Sequence, residues 1–312
     1  MNFQQIEYAM AVDRLNHFGQ AAEACNVTQA TLSAMIKKLE EELGYTLFDR
    51  SRHPVKTTDI GKAWILHARE ALLARNSMYE LNQSFEGLKG KLRLGIIPTI
   101  ANSLLPLILP DIMEDHPNLE LSITELTTEA ILDELKLDQI DLGILATPLY
   151  EENIEEHILY YEPMMVYGEH SQDKDFIGGN ELKDSNIWLL QEGHCFRNQA
   201  MTLCEMEAGS EMNQRLSVQG GSFESLMHLT RSFGGFTLIP ELFYRDLPGN
   251  EKKRVKPFLP PIPVREISII SRKVHHRQRS IDALTGFIQS KVNPKLSTTK
   301  YKKSDLNIIG IQ

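Results

Sequence analysis

The most reactive chemistry in this chain is concentrated in Gln191-Glu-Gly-His194-Cys195-Phe-Arg197-Asn-Gln-Ala-Met-Thr-Leu-Cys204, where two cysteines stand nine positions apart. Cys195 follows a predicted strand and opens a predicted helix. A helix N-terminus, the neighbouring Arg197 and His194 would each favour a thiolate. A thiolate beside a crevice can attack the O–O bond of a peroxide and become a sulfenic acid, and a second thiol can condense with it to a disulfide. Cys204 is the natural resolving partner. With both residues in one helix they would lie ~13 Å apart, whereas a disulfide needs Cα atoms within ~7 Å. Closure would force the helix to unwind, and a forced local refolding is a bistable element. Two other readings stay open on residue chemistry alone. The pair could be ordinary buried cysteines in a domain that binds a small metabolite, or the working thiols of a peroxidase.

A scaffold is needed to hold these thiols, and the C-terminal two-thirds reads as α/β. Leu92–Ile97 is a predicted strand, followed by a helix through Met113. Leu119–Leu126 alternates as a strand, Glu129–Leu137 is a helix, and Asp141–Ala146 a third strand. That β-α-β-α-β order predicts parallel strands with right-handed crossovers. Further elements are predicted at 187–190, near 199–208, near 223–231, at 236–239 and at 266–271, with a last amphipathic helix at 281–292. Ligands in such folds sit beyond the carboxyl ends of the strands. Thr99 and Thr128 occupy such positions and are also candidate helix caps. Residues 295–312 carry weak periodicity and read as a loosely ordered tail.

The N-terminal stretch has a different pattern. Residues 3–15 and 18–25 predict two short helices. Thr28 is a predicted N-cap, and a third helix over 29–42 stops at Gly44. Leu32, Ile36, Leu39 and Leu43 form one buried stripe, which turns Ala30, Thr31, Ala34, Lys37 and Lys38 outward. Small residues let a helix approach base edges, Gln29 and Thr31 can read them, and Lys37 can reach phosphates. Residues 47–58 form a basic hairpin-like wing that carries Arg50 and Arg52. This is helix-turn-helix geometry; the plainer alternative is a small helical packing unit. Cys25 reads as a small buried residue.

A proline-free helix follows. Ile60, Trp64, His67, Ala71, Ala74, Met78, Leu81, Phe85 and Leu88 alternate spacings of four and three, a heptad seam. An intermolecular seam predicts a dimer that presents two recognition helices to a pseudo-palindromic site. Gly87 and Gly90 are expected to end the helix as a hinge.

The 312-residue chain has a net charge of −9, but residues 1–90 carry 10 Lys+Arg against 11 Asp+Glu. The acidity therefore lies in the C-terminal part, and the N-terminal module can bind DNA through a local basic face. Leu104–Met113, the most apolar stretch, is broken by Pro106, Pro110 and Asp111, so no membrane span or membrane partner is expected. No basic, apolar leader opens the sequence, and three cysteines cannot build a disulfide framework. A reducing cytoplasm is the expected compartment. No Gly-x-Gly-x-x-Gly, P-loop or His-Glu-x-x-His occurs, and His275-His276 reads as a solvated pair, so neither cofactor nor metal is expected.

Phe18-Gly-Gln-Ala-Ala-Glu-Ala, Val27-Thr-Gln-Ala-Thr-Leu-Ser33, Leu39-Glu40, Leu43-Gly44, Leu47-Phe48, Arg50 and Thr58-Asp-Ile-Gly61 together resemble the signature of the LysR-type transcriptional regulators. Ala30 stands where proline is common. The resemblance implies DNA contacts by Thr28, Gln29, Thr31, Ser33, Lys37, Arg50 and Arg52. It implies a winged helix-turn-helix (1–58), a linker dimerisation helix (59–89) with Ile60, Trp64, Ala71, Met78, Leu81 and Phe85 in its seam, and a two-lobed effector domain of the type II periplasmic-binding-protein fold (90–295). Lobe I would be about 90–161 and 264–295, and lobe II about 162–263, with a tail at 296–312. Gly-His-Cys-x-Arg-x-Gln-x-x-x-x-Cys, with Gly95-Ile-Ile-Pro-Thr99 and Glu125-Leu-Thr-Thr128, is similar to the peroxide-sensing members of that family. This implies Cys195 as the peroxidatic thiol and Cys204 as the resolving thiol, with Thr99, Thr128, His194 and Arg197 around bound hydrogen peroxide. Double-stranded promoter DNA, RNA polymerase and a homodimer or homotetramer are the implied partners, and transcription of antioxidant genes the implied output, with no enzymatic role. Asn198 stands where an aspartate is usual.

Overall fold

The structure, a computed structural model, describes residues 1–80, 88–169, 175–178, 182, 186–204, 220–273 and 278–311. Leu81, Phe85, Gly87 and His275-His276 lie outside them. The described residues fall into two compact units, one holding 1–80 and the other holding those from 88 onward.

The first unit is a winged helix-turn-helix. Helices α1 (Phe3–Leu15), α2 (Phe18–Ala24) and α3 (Gln29–Leu43) enclose a core in which Ala9, Val12, Ala21, Leu32, Ile36 and Leu39 are fully buried. Asn2 and Gln5 form a capping box on α1. Thr28 caps α3 by accepting from Thr31 N, and Gly44 ends that helix at φ 77°, where a side chain would be strained. Strands β1 (Phe48–Asp49) and β2 (Lys56–Thr57) pair antiparallel as the wing. Helix α4 (Asp59–Glu80) buries Ile65 and Ala68. Of the expected seam, Ile60 and Met78 are exposed, and Trp64 and Ala71 are half-buried. Leu88, which continues the seam spacing, is instead buried in a core of the second unit.

The second unit has two apolar cores joined by two long strands. Strands β3 (Gly90–Ile96), β4 (Leu119–Glu125) and β5 (Leu142–Thr147) are parallel, connected through helices α5 (Pro98–Asp115) and α6 (Thr128–Lys136). Strand β6 (Ile154–Gly168) and the later strand β10 (Ile262–Arg272) run antiparallel to each other through both lobes. Lobe II is built on the far half of β6 with β7 (Ile187–Trp188), β8 (Phe236–Pro240) and β9 (Val255–Pro257), and on helices α7 (Cys195–Leu203), α8 (Phe223–Phe233), α9 (Glu241–Asp246) and α10 (Gly249–Lys252). Helix α11 (Gln278–Val292) returns to the lobe I core. The main sheet path is β4-β3-β5-β10-β6-β8-β7. The β6 strand, longer than any expected, is hidden in the sequence by Glu155, Glu156, His157 and Pro163.

Residues 296–309 are not the loose tail expected from composition. Leu296 is buried in the lobe I core, and strand β11 (Leu306–Ile308) lies parallel to β10 in the register Ile262↔Leu306 to Val264↔Ile308. Ile309 is buried in the lobe II core. A few apolar residues at well-chosen points anchor the segment, and its lysines stay in solvent.

Candidate redox site and nucleic-acid interface

Helix α6 is brought close to the sheet by two glycines. A Cβ at Gly143 would stand 2.5 Å from Ile131 Cγ2, and one at Gly95 3.1 Å from Ile131 Cγ1. The N-terminus of α6 therefore reaches the carboxyl ends of β3 and β5. Thr127, not Thr128, is its N-cap, accepting from Ala130 N at 3.3 Å. Thr128 is the first helical residue, and its buried Oγ1 has no partner of full hydrogen-bond geometry.

Gly193, at φ 90°, turns the chain into α7 from lobe II. His194 is the N-cap residue, and Cys195 and Cys204 stand at the first helical position and the C-cap. Both cysteines are buried and reduced. They occupy different cores: Cys195 belongs to that of lobe I, and Cys204, with Phe196 and Ala200, to that of lobe II. The helix thus plants its first side chain across the junction. Cys195, His194, Asn198, Thr128 and Glu129 line an open crevice of about 590 Å³.

Burial is the largest influence on Cys195 and pushes its pKa up. Opposing it are the Arg265 guanidinium, the Thr128 hydroxyl, and the backbone of Phe196 and Ala146. Thr128 acts on the thiol from close by without completing a hydrogen bond to it. Arg265 is 1% exposed and ion-paired to Glu162, also 1% exposed, at 2.7 Å. Its Nη1 donates to Thr99 Oγ1 at 3.1 Å, its Nη2 to Thr99 O at 3.0 Å, and its plane lies over the Phe196 ring at 5.2 Å. Glu162 Oε1 accepts from Leu242 N at 2.9 Å.

This geometry corrects the expected cation. Arg197 donates to Leu190 O at 2.9 Å and is not among the groups acting on the Cys195 thiol. Burial pushes the His194 pKa below the usual 6.5, which favours its neutral form over a second positive charge. Thr99 is the second residue of α5, is buried, and accepts from Arg265 through both its hydroxyl and its carbonyl. Arg265 is the functional residue that sequence reasoning missed. Its signal is a charged pair, Arg265-Glu266, inside a strand with apolar residues on both sides of it. Burial pushes the Cys204 thiol up to about 12.

In the first unit, Gln29, Ala30, Thr31, Ala34, Lys37 and Lys38 form a continuous exposed face of α3. Thr28 and Thr31 share a hydroxyl–hydroxyl bond of 2.9 Å. Arg50 remains partly exposed, but its guanidinium is engaged within the first unit. It pairs with the buried Glu40 at 2.9 Å, donates to Ser33 Oγ at 3.0 Å, and covers the Phe18 ring. Glu40 also accepts from Leu47 N at 2.7 Å, tying α3 to the wing. Arg52 is exposed beside Asp49 at 3.1 Å.

A winged helix-turn-helix unit that ends in a long helix, and a two-lobed α/β domain later in the same chain, define a DNA-binding transcriptional regulator. The chain belongs to the LysR family: residues 3–62 match "Bacterial regulatory helix-turn-helix protein, lysR family", and residues 85–293 match "LysR substrate binding domain". It is 35% identical to a "Hydrogen peroxide-inducible genes activator" of Haemophilus influenzae over 87% of this chain and 91% of that protein. A full-length OxyR of Pseudomonas aeruginosa carrying a cysteine-to-aspartate change superposes with a TM-score of 0.74 at 31% identity, covering 93% of this chain and 98% of that one. A hydrogen peroxide-bound cysteine-to-serine OxyR of Corynebacterium glutamicum gives 0.62 at 25% identity, covering 96% of each chain. No helix among the described residues is long and apolar enough to cross a membrane.

Proposed function

We propose that this regulator senses hydrogen peroxide through Cys195 and reports it by a disulfide to Cys204. The observation that carries the reading is one helix with a thiol at each end, each buried in a different lobe. The minor thiolate form of Cys195, which Arg265 and the nearby Thr128 hydroxyl favour against the cost of burial, attacks one peroxide oxygen. The O–O bond breaks, and the leaving hydroxide takes up the proton lost by the thiol, with neutral His194 placed to pass it. A sulfenic acid and water result. The Cys204 thiol then attacks the sulfenic sulfur, the S–O bond breaks, and a second water leaves. One peroxide is reduced to two waters as two thiols become a disulfide. Since ~13 Å of helix cannot close to ~7 Å, α7 must unwind and withdraw a residue from at least one core.

The DNA-binding module is then residues 1–58, with Thr28, Gln29, Thr31, Lys37 and Arg52 on the DNA side and Arg50 and Ser33 positioning the wing. Residues 59–89 form the linker that pairs two chains, and residues 90–295 the sensor. The exposed Ile60 and Met78 support pairing of two chains along α4, the basis of a homodimer or homotetramer. Promoter DNA and RNA polymerase are the partners, the output is transcription of antioxidant genes, and the compartment is the cytoplasm.

A second reading has support in the crevice, whose volume exceeds a peroxide many times over and suits a small metabolite. Footprinting of the operator with and without peroxide, with mass mapping of the thiols, separates the two. Peroxide should alter the footprint and convert Cys195 and Cys204 to a disulfide. An unchanged footprint with free thiols would leave the metabolite reading.

A further inference from the structure

The segment Leu306–Ile311 crosses the redox helix, and we propose that it is a clamp that holds α7 in its reduced, helical form and so sets how readily the disulfide closes. The inference rests on the proposed sensing reaction for its consequence, though not for the contact itself.

Three contacts lead to it. Strand β11 is fixed to β10, a strand shared by both lobes, and is extended by Ile309 N donating to Val264 O at 2.9 Å. Ile309 O then accepts from Gln199 Nε2 at 2.8 Å. Gln199 lies in the middle of α7, between the two cysteines, and is fully buried. Beyond it, Gly310 and Ile311 line the same crevice as Cys195 and Asn198, and Ile311 packs on the lobe I core.

Gln199 is costly to bury, since its Oε1 has no partner. A buried amide kept for one bond to a neighbouring main chain marks that bond as the anchor. Unwinding α7 carries Gln199 away from Ile309 and leaves the Ile309 carbonyl unpaired in the lobe II core. The clamp is made only in the reduced fold, so it opposes refolding after Cys195 is oxidised. By the same thermodynamic cycle it favours re-reduction. Loosening it should lower the peroxide dose that throws the switch and make the disulfide harder to reduce.

Two variants of the full chain test this. One stops after Asn307, removing the anchor and the crevice wall; the other, Gln199→Met, keeps the side-chain volume and removes the donor. Hydrogen exchange of the reduced protein, without peroxide, reads the clamp directly. Amides of α7 should exchange roughly five- to tenfold faster in both variants, the scale of one lost buried hydrogen bond, while those of α8 should not change. After stoichiometric peroxide, the sulfenic acid at Cys195 should give way to the disulfide faster by a similar factor. Unchanged α7 exchange in Gln199→Met overturns the clamp, whatever the thiols do. Faster exchange with no disulfide even in the unaltered chain would instead refute the sensing reaction and leave the clamp standing. Faster exchange with a slower or unchanged closure would show that the segment does not oppose refolding, which also overturns the proposal.

Discussion

Cys195 and Cys204 stand at opposite ends of the nine-residue helix α7 and are buried in the cores of two different lobes. Any covalent bond between them must change the fold of that helix and the packing of at least one lobe.

Arg265 should have two separable roles. Arg265→Met leaves Glu162 buried without its cation, which should cost about 3–5 kcal/mol of stability. Pairing it with Glu162→Gln, which keeps the acceptor for Leu242 N, should recover most of that loss in urea unfolding. The double variant should still form sulfenic acid at Cys195 more slowly than the unaltered chain. Recovery of both stability and reactivity would remove Arg265 from the chemistry.

The adjacent threonines should part company. Thr127→Ala removes the α6 cap and should cost about 1 kcal/mol with little effect on the Cys195 rate. Thr128→Val leaves the cap in place and removes the hydroxyl acting on the thiol, so the rate should fall while the melting temperature barely moves. Stopped-flow peroxide consumption and thermal unfolding on the same samples would check the division, and equal effects of the two changes would contradict it.

Alkaline pH should weaken the reduced sensor through Cys204. The native thiol holds its proton to about 12, while the unfolded thiol releases it near 9.0. Burial therefore contributes no penalty below the unfolded value, and stability is lost as pH rises from there toward the folded value. At about pH 10.5 the loss attributable to this group is about 2 kcal/mol. Cys204→Ala should remove that part of the decline, read as the difference in urea midpoints between about pH 8 and pH 10.5. The same decline in both proteins would contradict the assignment.

On the DNA side, Gln29→Ala should weaken operator binding by about 1–3 kcal/mol more than non-specific binding. Arg52→Ala should weaken all sequences alike and flatten the salt dependence. Arg50→Ala should act differently from both, lowering the stability of the first unit because Glu40 loses its partner. Met78→Glu with Ala74→Glu should halve the sedimenting mass if α4 pairs chains. An unchanged mass would place that face elsewhere.

Much of this was legible in the residues, and the failures have physical causes. The stripe Leu32, Ile36 and Leu39, the Thr28 cap and the Gly44 stop define α3, because local periodicity and capping act within one helix. The strands of the β3-α5-β4-α6-β5 run were readable for the same reason. Arg265 was not, because its role depends on Glu162 and Thr99, which only the tertiary fold brings together. Arg197 is the cation that sequence proximity suggests, but its side chain turns to Leu190 O. Arg50 was read as a free wing cation because nothing local reveals that Glu40 is buried beneath it. The tail was misread because its order comes from β10 and Gln199, not from its own composition.

In the proposed reaction disulfide closure, and not oxidation of Cys195 alone, throws the switch. Its most direct test is the operator footprint of Cys204→Ser before and after peroxide, with the Cys195 product trapped by a dimedone-type reagent. A trappable sulfenic acid at Cys195 is expected, with the oxidised footprint largely lost, because α7 has no second thiol to pull it out of register. A full oxidised footprint in Cys204→Ser would contradict it.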